Sequence, residues 1–215
     1  MKPNQLRITE IFHSLQGESV TVGLPTVFVR LTGCPLRCQY CDTAYAFSGG
    51  KMLPIDSILE QVASFGCQYV CVTGGEPLAQ PECIQLLKRL CDAGYSVSLE
   101  TSGARNIADV DPRVMIVMDL KTPDSKECEK NLWSNIPHLK QNDQIKFVIC
   151  SREDYQWAKQ VLSEHQLTAR AQILFSPSFE QLNPTQLADW IIQDRLPVRF
   201  QLQLHKILWN DAPGH

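Results

Sequence analysis

Long apolar runs are missing from this chain. Nothing in it approaches the roughly 18 consecutive apolar residues that a spanning helix needs, so no membrane segment is expected. A surplus of one charge is missing too. Lysines and arginines total 20 against 23 aspartates and glutamates, a net charge of −3, which gives no electrostatic reason to expect nucleic acid or an anionic membrane as partner. Residues 1–7 hold no apolar stretch of the signal-peptide kind, which points to the cytoplasm. Repeats, low-complexity tracts and Gly/Ser linkers are likewise absent, so 215 residues are expected to form a single domain around one core. What is present is an ordinary globular composition, 44% hydrophobic and 20% charged.

Cysteine is the exception. The chain has 9, a high and odd number. Without a signal peptide, and with a core of this size, a disulfide framework is not expected. The thiols should be either small buried hydrophobes or ligands. Cys67, Cys71, Cys83, Cys91, Cys128 and Cys150 are scattered over strand-like and helix-like stretches and read as packing. Cys34, Cys38 and Cys41 stand apart by their spacing.

From residue 25 onward strand and helix signals alternate. Strand-like runs occur at 26–31, 69–73, 95–101, 114–120, 144–150, 171–175 and 198–204. A helix over 55–65 places Ile55, Ile58, Leu59, Val62 and Phe65 on one face, with Gly66 as its stop. A second begins at Pro81, turns Ile84, Leu87 and Cys91 inward, and ends at Gly94. Helical spacing returns over 153–165 and 185–194, whereas 124–142 reads as a short helix plus loop. Alternation of this kind predicts an α/β fold with a parallel sheet covered by helices. About seven strands with about four good helices suit an incomplete, open β/α barrel, whose functional loops follow the C-terminal ends of the strands.

Two motifs fall at such strand ends. Gly33-Cys34-Pro35-Leu36-Arg37-Cys38-Gln39-Tyr40-Cys41-Asp42 follows the first of these strands. Three thiolates so spaced on a short loop can wrap one face of a 4Fe–4S cube, which ordinarily takes four protein ligands. With no fourth cysteine close by, one iron stays open. That iron can bind the amino and carboxylate groups of S-adenosylmethionine (SAM). An electron passed to the sulfonium then breaks a C–S bond and yields a 5′-deoxyadenosyl radical able to remove hydrogen from carbon. A structural zinc site is the bland rival, but it usually needs a second Cys-x-x-Cys pair, and none exists here. Thr73-Gly74-Gly75-Glu76-Pro77 follows the next strand. Its paired glycines allow close backbone approach, and a carboxylate there could accept from an ammonium group.

Together the two motifs resemble the radical SAM superfamily. Leu15-Gln16-Gly17-Glu18, Arg30, Cys41-Asp42-Thr43, Glu100-Thr101-Ser102-Gly103 and Leu204-His205-Lys206 are similar, in the same order, to a branch of it. That branch serves 7-deazapurine (queuosine) biosynthesis, and the likeness runs from Ile8 to about Trp209. The resemblance implies a lyase that contracts 6-carboxytetrahydropterin to 7-carboxy-7-deazaguanine with release of ammonia. It implies a cluster on Cys34, Cys38 and Cys41, and a SAM site of Tyr40, Asp42, Gly75, Glu76, Ser102, Asp119, Leu120, Lys121, Ser176 and Pro177. Thr43 would lend its hydroxyl to Mg²⁺. Leu15, Gln16, Gly17, Glu18, Arg30, Thr73, Glu100 and His205 would line the pterin site, where the Arg30 fork suits a carboxylate. About 1–24 would form a short substrate-binding segment ahead of the core domain. A homodimer and a flavodoxin-type electron donor are implied in the same way.

This sequence departs from the pattern at Ser19, where glycine is usual, which puts the local turn in doubt. The tail 210–215 supports no assignment. A glycyl-radical activase would share both motifs, but would not need Leu15-Gln16-Gly17-Glu18, Arg30 and Thr43 gathered around a small polar ligand. A zinc-binding module is the rival from a different class.

Overall fold

The computed structural model describes residues 4–210 together with Ala212 and Gly214. Residues 1–3, from the stretch used for the signal-peptide argument, and Asp211, Pro213 and His215 of the tail lie outside the described residues. The strands are β1 (Gln5–Leu15), β2 (Pro25–Leu31), β3 (Lys51–Pro54), β4 (Tyr69–Gly74), β5 (Ser96–Thr101), β6 (Met115–Asp119), β7 (Gln144–Ile149), β8 (Gln172–Pro177) and β9 (Arg199–Phe200). The helices are α1 (Ile55–Ser64), α2 (Cys83–Asp92), α3 (Arg152–Glu164), α4 (Pro184–Asp194) and α5 (Leu204–Trp209).

All nine strands join one sheet in the order β3-β1-β2-β4-β5-β6-β7-β8-β9, with unpaired edges at β3 and β9, so the barrel stays open. From β2 to β9 every neighbouring pair is parallel, whereas β1 runs antiparallel to both β2 and β3. Among the described residues no helix is long and apolar enough to cross a membrane.

The period of two along a strand divides the sheet chemically. Val27, Val29 and Leu31 of β2, Val70 and Val72 of β4, and Ile116 and Met118 of β6 point to one face, as do Ile145, Phe147 and Ile149 of β7. There they pack into one core with Ile58 and Val62 of α1, Leu87 and Leu90 of α2, Tyr155 and Val161 of α3, and Leu187 of α4. The alternate residues point inward to a cleft: Phe28 and Arg30 on β2, Thr73 on β4, Glu100 on β5, Asp119 on β6, and Lys146 and Val148 on β7.

Several expectations change. The stretch 5–15, expected only as part of a substrate-binding segment, is the longest strand of the sheet, and β3 was not foreseen. The C-terminal strand shrinks to Arg199–Phe200 and is followed by α5, so His205 sits on a helix. Over 124–142 no α-helix forms. Pro123 and Pro137 lie in short 3₁₀ turns, in keeping with the loss of backbone donors at proline. Of the six scattered cysteines, Cys71, Cys83, Cys91 and Cys150 are buried, whereas Cys67 and Cys128 are only half-buried. The α2 face is also broader than expected, adding Cys83, Leu86 and Leu90 while Ile84 is only partly buried.

Candidate active site

The cysteine loop leaves the C-terminal end of β2 and is pinned to its surroundings mainly by backbone. Gly33 N–H donates to Ala46 C=O at 2.8 Å, and Gly33 C=O accepts from Glu76 N–H at 2.8 Å. Arg37 stacks over the Phe47 ring at 4.2 Å, and its guanidinium donates to the Cys34 and Leu36 carbonyls at 2.8 and 2.6 Å. Gly75 meets the loop so closely that a Cβ there would stand 2.7 Å from Cys34 Cβ and would overlap the Gly33 carbonyl. Only glycine lets the two motifs touch.

Cys34, Cys38 and Cys41 are half-buried and line the cleft, which has a volume of about 390 Å³. None of the other six cysteines lines it. Burial pushes the Cys34 and Cys41 thiols up and the Cys38 thiol to about 11, with the Lys121 ammonium opposing it. Three soft sulfur donors from one short loop lining one cleft, with none of the other six cysteines beside them, fit a cluster, whereas a structural zinc takes four ligands.

Beside the loop, Asp42 Oδ2 pairs with Lys206 Nζ at 2.9 Å, and Thr43 donates its hydroxyl to Asp42 Oδ1 at 2.9 Å. Burial alone would raise the Asp42 carboxyl, but the Lys206 ammonium outweighs it and holds the group well below the usual range. On the cluster side of the cleft, the Tyr40 hydroxyl and Asp119 Oδ1 are buried without a hydrogen-bond partner among the described residues. Both residues line the cleft, so a polar group of a bound ligand, or an ordered water, could satisfy them.

The same cleft is lined by Leu15, the last residue of β1, and by Gln16, Gly17 and Glu18 directly after it. Gln16 reaches Glu100 at 3.5 Å, and Thr73 donates to Glu100 Oε2 at 2.9 Å. Gly17 lies against the His205 imidazole, where a Cβ would clash with Nδ1. Arg30 spends its Nε–H on Glu10 at 2.7 Å and is flanked by the rings of Phe12 and Tyr45 at 5.7 and 5.9 Å. Ser19 keeps a left-handed φ of 69°, so the glycine turn survives the substitution. Gln201 secures it, accepting from Ser19 N–H and donating to Ser19 C=O at 2.8 Å each.

The structure thus brings together on one cleft all the residues expected to touch the pterin, the three cysteines, Thr43, and Tyr40, Asp42, Gly75, Ser102, Asp119 and Lys121. Four residues expected at the SAM site do not line it. Leu120 and Pro177 sit on the alternate register, which turns them to the helix side. Ser176 is inward by register but 1% exposed, beneath the surface of the cleft. Glu76 is fully buried, and its oxygens accept from Leu78 N–H, the Thr101 hydroxyl, and the Ser102 N–H and hydroxyl at 2.5–3.0 Å. It ties the end of β4 to that of β5 and keeps no acceptor free for an ammonium group. Sequence reasoning missed Phe12, Phe28, Lys146, Gln203 and Lys206, which also line the cleft. Lys146 was legible, since a charge inside an apolar strand run marks the inward register.

Comparison with known proteins decides the family. The family model described as the radical SAM superfamily matches residues 28–160. The chain is 47% identical to a 7-carboxy-7-deazaguanine synthase of Chlorobaculum tepidum, with 97% of each chain covered. It is 40% identical to one of Koribacter versatilis, over 95% of this chain and 97% of that protein. The chain belongs to the 7-carboxy-7-deazaguanine synthase family of radical SAM enzymes. Its fold is that of the crystal structure of QueE from Escherichia coli, with a TM-score of 0.78 at 23% identity over 94% of this chain and 95% of that one. A glycyl-radical activase is not favoured by family membership of this kind.

Proposed function

We propose that this enzyme converts 6-carboxytetrahydropterin to 7-carboxy-7-deazaguanine, releasing ammonia, as a step in 7-deazapurine biosynthesis. The observation that carries this reading is one cleft. In a chain that matches 7-carboxy-7-deazaguanine synthases almost from end to end, the three-cysteine loop lines the same cleft as Arg30, Gln16 and Glu18. When bound, the cluster and SAM supply the electron and the hydrogen-abstracting radical that start the rearrangement.

The chain's own residues hold and orient. Arg30 keeps its two terminal amino groups out of the Glu10 pair, so the fork suits the pterin carboxylate. Glu100, fixed by Thr73 and Gln16, offers carboxylate oxygens to the amino and ring N–H donors of the pterin. The Phe12 and Phe28 rings, stacked at 4.9 Å, give the cleft an apolar wall suited to a flat heterocycle. On the other side Asp119 Oδ1, the Tyr40 hydroxyl, Ser102 and the Gly75 backbone fit the polar groups of SAM.

Thr43 would supply a hard oxygen donor of the kind Mg²⁺ takes, its hydroxyl lying 2.9 Å from Asp42 Oδ1, a carboxylate that also pairs with Lys206. Residues about 1–24 act as the substrate-binding segment. A flavodoxin-type donor supplies the electron, and the enzyme works in the cytoplasm as a homodimer. The test is anaerobic reconstitution with iron and sulfide, followed by reductant, SAM and the carboxypterin. The expected products by mass are the carboxydeazaguanine and 5′-deoxyadenosine. Cofactor cleavage with the pterin left intact would overturn the assignment.

A further inference from the structure

Lys146 has no role in the assignments above, yet it carries a buried charge on the cleft floor. It lies on the inward register of β7, directly across from Asp119 of β6, and its side chain is 13% exposed. An ammonium so enclosed is costly unless it is paired. Its Nζ stands 2.5 Å from Glu18 Oε2 and 3.4 Å from Asp119 Oδ2. The other Glu18 oxygen accepts from Gln203 Nε2 at 2.7 Å, and Asp119 Oδ2 is also 3.1 Å from Lys121 Nζ. A continuous polar chain therefore crosses the cleft floor from Gln203 through Glu18, Lys146 and Asp119 to Lys121. One end belongs to the loop assigned to the pterin. The other carries Asp119, a residue of the cleft lining assigned to SAM, whose Oδ1 is buried without a hydrogen-bond partner among the described residues.

One ammonium held unevenly between two carboxylates can shift its weight. Donor groups of a pterin engaging Glu18 would relieve its demand on Lys146, which then holds Asp119 Oδ2 more closely and orders Oδ1 for SAM. We propose that Lys146 is a positioning residue that couples the two ligand sites, so that filling either one tightens the other. Linkage requires the effect to be reciprocal. The inference rests on the reading of the cleft as a pterin and SAM site.

The test uses cluster-loaded, unreduced enzyme, which binds both ligands without turnover, and measures SAM affinity by calorimetry with and without saturating 6-carboxytetrahydropterin. In the parent enzyme the pterin should tighten SAM about fivefold or more. In Lys146→Met that ratio should fall to about one, and Lys146→Arg should recover part of it. A merely structural role for Lys146 would weaken both ligands and leave the ratio as it was. Should Lys146→Met fail to fold, Lys146→Gln carries the same expectation. An unchanged ratio in the Met or Gln variant, or no coupling in the parent, overturns the proposal. A parent that binds SAM but no pterin overturns the functional reading itself, and this inference with it.

Discussion

The two faces of the sheet use the same strands for opposite purposes. On the helix side, every second residue is apolar and fully packed, and α1 to α4 seal it from water. On the cleft side the intervening residues include Arg30, Thr73, Glu100, Asp119 and Lys146, charged or polar groups paired with one another or, for Arg30, with Glu10 of β1. A strand buried on both sides would ordinarily be apolar throughout. The polar residues on its second side therefore show that this surface is kept for a ligand, at a cost that the apolar side offsets.

That division can be broken in a graded way. Cys38→Ala should have the largest effect, reducing 5′-deoxyadenosine release to background while the circular dichroism spectrum stays native. Release at the parent rate would remove the cysteine loop from the mechanism. Gly75→Ala should come next. The added methyl meets the Gly33 carbonyl and Cys34 Cβ, an overpacking of about 1–3 kcal/mol. Bound iron per chain should drop severalfold, and retention of full iron content would refute the close-approach argument.

Leu87→Ala sharpens the contrast from the other face. Leu87 is 0% exposed, and its truncation should cost about 2–5 kcal/mol of unfolding free energy in a urea titration. Activity per folded molecule at low temperature should be preserved. Thr43→Ala should leave the visible absorption of the cluster intact and weaken Mg²⁺ activation, about tenfold in the Mg²⁺ concentration giving half-maximal activity; an unchanged requirement would take Thr43 out of the metal site. Ser19→Gly should have the smallest effect. It relieves a left-handed residue, worth about 1–2 kcal/mol, but forfeits the hydroxyl contact with Thr21 at 2.8 Å. A melting temperature within a few degrees of the parent is expected, and a large fall would show that the hydroxyl, not the backbone, secures the turn.

What was legible in the sequence follows the same line. The parallel strands and four helices could be read because burial imposes clean periods of 2 and 3.6. The cysteine loop and Thr73-Gly74-Gly75-Glu76-Pro77 could be read because they sit at strand ends, whereas the other expected residues around the cleft, such as Arg30 and Glu100 inside their strands, came only from the family resemblance. β1 was not legible as a strand. It is only half-buried, its alternation is broken by a register shift between Ile8 and Glu10, and polar residues such as Thr9, His13 and Ser14 dilute its pattern. The stretch 198–204 misled for the converse reason. Val198, Phe200, Leu202 and Leu204 alternate like a strand, but Gln201 is drawn inward to clamp Ser19, and a helix begins at Leu204. Runs such as Asp119-Leu120-Lys121 were carried over whole from the resemblance. The pleat then selects alternate members, and Leu120 goes to the core.

The account depends on one iron of a cube being left to a ligand by a loop with three cysteines and no fourth. The most direct measurement is Mössbauer spectroscopy of ⁵⁷Fe-reconstituted enzyme before and after addition of SAM. One iron should separate from the rest and shift on addition, while the others stay as they were. Four equivalent irons that ignore SAM would contradict it.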